Sequence, residues 1–223
     1  MTTSFPSTDT VQVYMMDTNV IRYQVGRNSS LEERRLKQAA IEFWGTVQEE
    51  TLARRTEIML PKEVVAELDI QMHSLTLQKQ DKLRIIIESL LIDSFDLSLS
   101  LEYDLRKFSS YVIHHYREHL IPKQQTTMQH GKSSYKIEYL QTSDARILVS
   151  AYLNDAILVT RNIKDFIVYL LFCAPEEKRL YDFVEKQFVT IPAEGLDLIC
   201  QDSYFQEVRS KLEQLLVGEE QLD

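Results

Sequence analysis

Residues Val11 to Met16, VQVYMM, form a short apolar run rich in strand-favouring residues that breaks abruptly at Asp17-Thr18-Asn19. Such a run fits a buried strand of a parallel α/β sheet. The carboxylate that ends it then stands at the sheet's carboxyl edge, where open α/β sheets place their ligands. Two readings fit Asp17 there: the N-cap of the next helix, or a member of a site. Ala156 to Thr160, AILVT, is a second buried strand, and Gln187 to Ile191, QFVTI, a third.

The sequence between these runs is helical in pattern. Residues 31 to 56 carry Leu31, Leu36, Ala39, Ala40, Phe43, Trp44, Val47 and Leu52 at helical spacing. Glu57 to Leu60 reads as a short strand stopped by Pro61, which suits the first turn of a helix running from Lys62 to His73. Leu75 to Phe95 reads as one helix, with Leu83, Ile86, Ile87, Leu90 and Leu91 inward. Leu97 to Leu120 reads as another, ended by Ile121-Pro122. Lys123 to Tyr139 lacks apolar periodicity and reads as a loop. Thr142 and Ser143 cap a helix from Asp144 to Asn154, and Ser203 to Val217 forms a C-terminal helix before an acidic tail. Strands separated by helices, with no repeat and no linker, imply one α/β domain over residues 1–223. Its central parallel sheet would have a core of about 11–76 and 140–200, a helical insertion of about 77–139 and the C-terminal helix of about 203–217.

Composition removes several classes. Two cysteines, Cys173 and Cys200, make neither a disulfide framework nor a metal-ligand spacing. The longest apolar run, Phe166 to Ala174, is too short to cross a bilayer, and the opening MTTSFPSTDT has no basic or apolar leader region. A cytoplasmic protein without membrane attachment is the expectation. His115 and His119 lie one turn apart but without the Glu of H-E-x-x-H, and the five glycines form neither a P-loop nor G-x-G-x-x-G. A phosphatase with an aspartyl nucleophile would want a second Asp two residues after Asp17, where Asn19 stands.

Four acids sit where elements begin or end: Asp17, Glu67 on the helix after Pro61, Asp144 opening its helix, and Asp165 after the AILVT strand. Each has an ordinary alternative, as a cap, a turn or a solvated helix acid. Together on one sheet edge they would repel one another unless a cation lay among them. Oxygen ligands without Cys or His suit Mg²⁺ or Mn²⁺.

Three segments resemble the PIN-domain ribonucleases, and within them the toxins of VapC-type toxin–antitoxin pairs. They are the strand ending in Asp17-Thr18-Asn19, the stretch LPKEVVAEL from Leu60 to Leu68, and TSDARILVSAYLNDAILVTRNIKDF from Thr142 to Phe166. The resemblance implies a PIN-like fold and hydrolysis of RNA phosphodiesters with Mg²⁺ or Mn²⁺. It further implies Asp17, Glu67, Asp144 and Asp165 as catalytic metal ligands, with Asn19 and Thr160 in support. Asn162, also in support, stands where many relatives have an acid, which makes the fourth position weak or shared between Asn162 and Asp165. Glu63, one turn before Glu67, is the alternative at that position. An antitoxin partner and a homodimer are implied as well. The chain departs from the compact toxins in its extra sequence around Leu75 to Tyr139 and after Phe166.

The net charge of −9 excludes indiscriminate coating of nucleic acid, but the charge is uneven. Arg106, Lys107, Arg117, Lys123, Lys132 and Lys136 face a single acid, Glu118, over that stretch, interleaved with His114, His115, His119, His130, Tyr103, Tyr111, Tyr116 and Tyr135. Such a mixture can meet phosphates and stack on unpaired bases; its plain alternative is a solvated helix face with the tyrosines packed inside. Two functions follow: a metal-dependent endoribonuclease, or a catalytically inactive PIN-like module that binds RNA or protein.

Overall fold

The computed structural model describes residues 11–26, 29–120 and 140–219. Six strands, β1 (Gln12–Met16), β2 (Thr56–Pro61), β3 (Leu91–Asp93), β4 (Ile157–Thr160), β5 (Leu180–Asp182) and β6 (Gln187–Phe188), form one sheet ordered β3-β2-β1-β4-β5-β6. Every neighbouring pair is parallel except β5 with β6. The flanking helices are α1 (Thr18–Gln24), α2 (Leu31–Leu52), α3 (Lys62–Met72), α4 (Leu77–Glu88), α5 (Leu99–Leu120), α6 (Thr142–Leu153), α7 (Ile163–Phe166), α8 (Ala193–Cys200) and α9 (Ser203–Glu219). A 3-10 turn, Ile167–Leu171, follows α7. The α/β class with a mostly parallel sheet and covering helices is as the strand–helix alternation predicts.

β1 and β4 are adjacent at the centre, in register from Tyr14 opposite Ile157 to Met16 opposite Val159. Met15, Met16 and all four residues of β4 are buried, which is why these runs read as apolar throughout instead of alternating. α2 opens on a capping box, Ser30 Oγ accepting from Glu33 N at 3.0 Å while Glu33 accepts from Ser30 N at 3.2 Å. Its stripe from Leu36 to Val47 is buried, but Leu31 and Leu52 at its ends are exposed, against expectation. The helix also stops before residue 56, because Thr56 joins β2 opposite Gln12.

The helix expected over Leu75 to Phe95 is corrected. α4 ends at Glu88, and Leu91–Asp93 pair with Met59–Pro61 as an edge strand. The apolar residues there serve both periods, and a parallel ladder to β2 outweighs one more helical turn. Leu91, expected inward, is exposed on that edge. A second correction concerns the third strand. Only Gln187 and Phe188 of Gln187–Ile191 are strand, antiparallel to a β5 too short to show a pattern. α7 and α8 are likewise additional elements.

α5 brings Leu101, Leu105, Phe108 and Val112 into the core and packs on α6, α8 and α9. Tyr111 and Tyr116 donate their hydroxyls to the same oxygen of Asp202, both at 2.7 Å, tying α5 to the start of α9. Lys123, Lys132, Lys136, His130 and Tyr135 lie outside the described residues, as does the loop expected there. Among the described residues no helix is long and apolar enough to cross a membrane.

α8 meets the end of α5 so closely that a Cβ on Gly195 would overlap the carbonyl oxygen of His119. Gly195→Ala should therefore push α8 off α5 and cost about 1–3 kcal/mol, read as a lower midpoint in urea unfolding. Gly45→Ala, on α2 with open space around it, should leave that midpoint level or raise it.

Candidate functional site

The carboxyl edge of the sheet gathers the predicted residues. Asp17 leaves β1 and is fully enclosed: Oδ1 accepts from Thr18 N at 2.6 Å, and Oδ2 accepts from Thr160 Oγ1 at 2.6 Å and from Asn19 Nδ2. Asp17 thus caps α1 while standing at the end of two central strands. Thr160, wholly buried at the end of β4, donates to Asp17 and accepts from Asn162 N at 2.8 Å. Asn19 reaches across to the next turn, accepting from Arg161 N at 3.1 Å. Asn19 and Thr160 therefore hold the Asp17 carboxylate in place.

Glu67 comes from α3. Its Oε2 accepts from Thr18 Oγ1 at 2.6 Å and its Oε1 from Gln71 Nε2 at 2.8 Å; Gln71 in turn accepts from Arg22 Nε at 3.0 Å. Glu63 turns elsewhere, pairing with Arg146 at 3.5 Å, which singles out Glu67 as the α3 acid on this edge. Asp144 lies in the first turn of α6 and accepts from Gln141 N at 3.2 Å. Asp165, buried on α7, accepts from the side-chain amide of Asn162.

The electrostatics show which acids feel one another. Burial pushes the Asp17 carboxyl up to about 7, opposed by its bond from Thr160, and the charges of Asp144 and Glu67 raise it further. Burial likewise raises Asp144, with Gln141 N opposing and Glu67 adding to the rise. Asp17, Glu67 and Asp144 are thus one repelling set. A hard divalent cation is what such a set of oxygen donors accommodates. The spacing is less closed. Among the described residues no three His, Cys, Asp or Glu side chains converge tightly enough to hold one ion. Here the carboxylates turn to neutral donors, Thr18, Thr160, Gln71 and Gln141 N.

Thr18 and Gln71 were not singled out from the sequence. Thr18 carries a signal, as the middle residue of Asp17-Thr18-Asn19, whereas Gln71 shows only its one-turn spacing from Glu67. A thiol nucleophile is disfavoured: burial pushes Cys173 up to about 12 and raises Cys200.

The basic stretch is divided. Tyr103, Arg106, Lys107, Tyr111, His114 and His115 line an open groove of about 530 Å³ on α5. Arg106 is also drawn to Glu102 at 3.7 Å, and Lys107 lies 5.9 Å from the centre of the Tyr204 ring. Arg117 is exposed near the helix end. Tyr111 and Tyr116 are packed and bonded to Asp202, as the plain alternative has it, whereas Tyr103 is exposed.

No family model matches this chain, and no curated protein matches it. Among solved structures, a chain in the crystal structure of VapBC2 from Rickettsia felis bound to a DNA fragment from their promoter is similar. The similarity covers 69% of this chain and 90% of that one, at 22% identity and a TM-score of 0.39. At that level it bears on neither the activity nor the partners of this chain.

Asp17 yields a pH test. Its folded pKa lies above the ordinary 3.8, so its contribution to stability is complete below about pH 4 and is lost as pH rises through about 7. Asp17→Asn removes the buried charge while keeping an acceptor for Thr160. Without divalent ions, it should gain about 1–3 kcal/mol over wild type at pH 8, and the gap should close towards pH 4, measured by thermal unfolding. A gap independent of pH would show that Asp17 is not held up by its surroundings.

Proposed function

We propose that this chain is a Mg²⁺- or Mn²⁺-dependent endoribonuclease of PIN type, the toxin of a toxin–antitoxin pair. The observation that carries the reading is Asp17 and Asp144 at the carboxyl edge of a parallel sheet, both raised by burial and by the charge of Glu67 beside them. Holding these charges together, with Lys164 the opposing charge at Asp144, costs the fold stability, which a bound cation would offset.

In this reading Asp17, Glu67 and Asp144 would hold the ion after drawing closer together, with Asp165 on α7 at the same edge. A divalent ion there supplies an acidified water and charge neutralisation at a phosphodiester. Thr160 and Asn19 fix the Asp17 carboxylate by donating to Oδ2, and Thr18 fixes Glu67 from the first turn of α1. Gln71, oriented by Arg22, holds the other Glu67 oxygen. These donors keep the carboxylates facing the edge without neutralising them. Asn162 sets Asp165 by its side-chain amide.

The RNA strand would meet the groove on α5. Arg106 and Lys107 offer phosphate contacts there, with Arg117 further along, and Tyr103 is exposed for stacking. Arg106 shares Glu102 with Arg146, which stands on α6 two residues beyond Asp144 and also pairs with Glu63, so the groove borders the helix that carries Asp144. Lys123, Lys132 and Lys136 belong to the same basic stretch in sequence.

The inactive module is the second reading. The open spacing of the acids and the amide of Asn162 beside Asp165 favour it. Cleavage of a mixed structured-RNA pool should occur with wild type in Mg²⁺ or Mn²⁺, stop in EDTA, and fall at least about 100-fold in Asp17→Asn. Equal cleavage by both proteins would mark a contaminant. With no cleavage by either, Mn²⁺ titration decides: binding by wild type that is lost in Asp144→Asn keeps the metal site, and absence of binding leaves the module.

A further inference from the structure

We propose that a second site, at the opposite, amino edge of the sheet, binds a phosphate group. A cleft of about 660 Å³ lies where β1, β2, β4 and β5 begin, large enough for a nucleotide. Its cations are Arg54, Arg55, Lys178 and Arg179, and its acids are Asp155 and Glu177. Arg179 is spent on those acids: Nε donates to Glu177 at 3.0 Å, while the two terminal nitrogens reach the carboxylate and the carbonyl of Asp155. Arg54, Arg55 and Lys178 have no acidic partner among the described residues. Lys178 Nζ lies 5.6 Å from the centre of the Phe188 ring, and the side chains of Arg54 and Arg55 have no partner among the described residues; such a concentration of cations without acidic partners is unexpected in a chain of net charge −9.

A second, independent observation concerns the backbone. Arg54 follows α2 with φ 56°, and Asp155 follows α6 with φ 48°, the left-handed position where glycine ends a helix at least cost. Asp155 repays the choice through Arg179. Arg54 is exposed and, among the described residues, its side chain makes no hydrogen bond or ion pair. The fold gains nothing visible from an arginine there, and the cleft gains a guanidinium. One cation would offset the negative end of the α2 dipole, but three exceed that need. Guanidinium groups pair with phosphate oxygens in a two-pronged fashion, and the ammonium of Lys178 adds a point charge. The cleft is formed by the starts of the strands and the acids stand at their ends, so the proposal does not depend on the nuclease reading.

The test uses the full chain in EDTA, so that no cleavage is read and failure of the nuclease reading stays separate. The probes are AMP and a fluorescein-labelled single-stranded RNA 12-mer, followed by anisotropy and by thermal shift. Arg54→Gly should melt higher than wild type, because the left-handed residue is relieved, yet bind about 3- to 10-fold more weakly. Adding Arg55→Gln and Lys178→Gln should abolish binding to AMP, and reduce the salt slope for RNA by about 2. AMP binding with this pattern identifies a free nucleotide as a ligand, and RNA binding without AMP identifies a strand; either supports the site. Failure of both probes to bind, unchanged binding in the triple variant, or a lower melting temperature for Arg54→Gly would overturn it.

Discussion

A carboxylate enclosed between the ends of two parallel strands must have its oxygens satisfied, and around Asp17 this requirement organises the neighbouring loops. Thr18 N closes the first turn of α1 on one oxygen, and Thr160 and Asn19 converge on the other. Because Thr160 then accepts from Asn162 N, and Asn19 from Arg161 N, the turn after β4 is built on the same group. Thr18 carries the chain of contacts to Glu67 and α3. Three parts of the sequence, near residues 17, 67 and 160, are therefore locked by one buried charge that opposes its own ionisation.

The two edges of the sheet have opposite electrostatic character. The carboxyl edge holds Asp17, Glu67 and Asp144, where the charge of Glu67 raises both Asp17 and Asp144. The amino edge holds Arg54, Arg55 and Lys178 beside an arginine that neutralises the acids there. Strands of four to six residues at the centre separate these fields by about 15 Å, more than a Debye length at physiological salt. Each edge can thus attract its own class of ion despite the net charge.

Much of the candidate site was legible because its residues sit at breaks in pattern. Asp17 ends an apolar run, Asp144 opens a helix, and Asp165 follows a strand, so each position shows itself locally. Thr18 showed only as the middle of Asp17-Thr18-Asn19, and Gln71 and Arg22 not as site residues, because their contacts span 49 residues between α1 and α3. The choice between Glu63 and Glu67 was equally non-local: Arg146, on a different helix, takes Glu63 away. Tyr111 and Tyr116 belonged by composition to a basic, aromatic surface, and the distant Asp202 turned them into packing.

The sequence by itself determined the α/β class, the central strands β1 and β4, and the placing of polar residues at their ends. Strands covered on both faces must be apolar throughout, and a charge can follow them only where the sheet stops. Tertiary structure alone decided the outer strands. Leu91–Asp93 fit a helical stripe as well as a strand, β5 is too short for either period to appear, and β6 keeps only Gln187 and Phe188 of the run read as a strand; pairing with β2 and β4 settles what three residues cannot. It also decided that the acids meet as charges and not merely as neighbours. Burial and mutual repulsion depend on distances through space, which no spacing along the chain encodes.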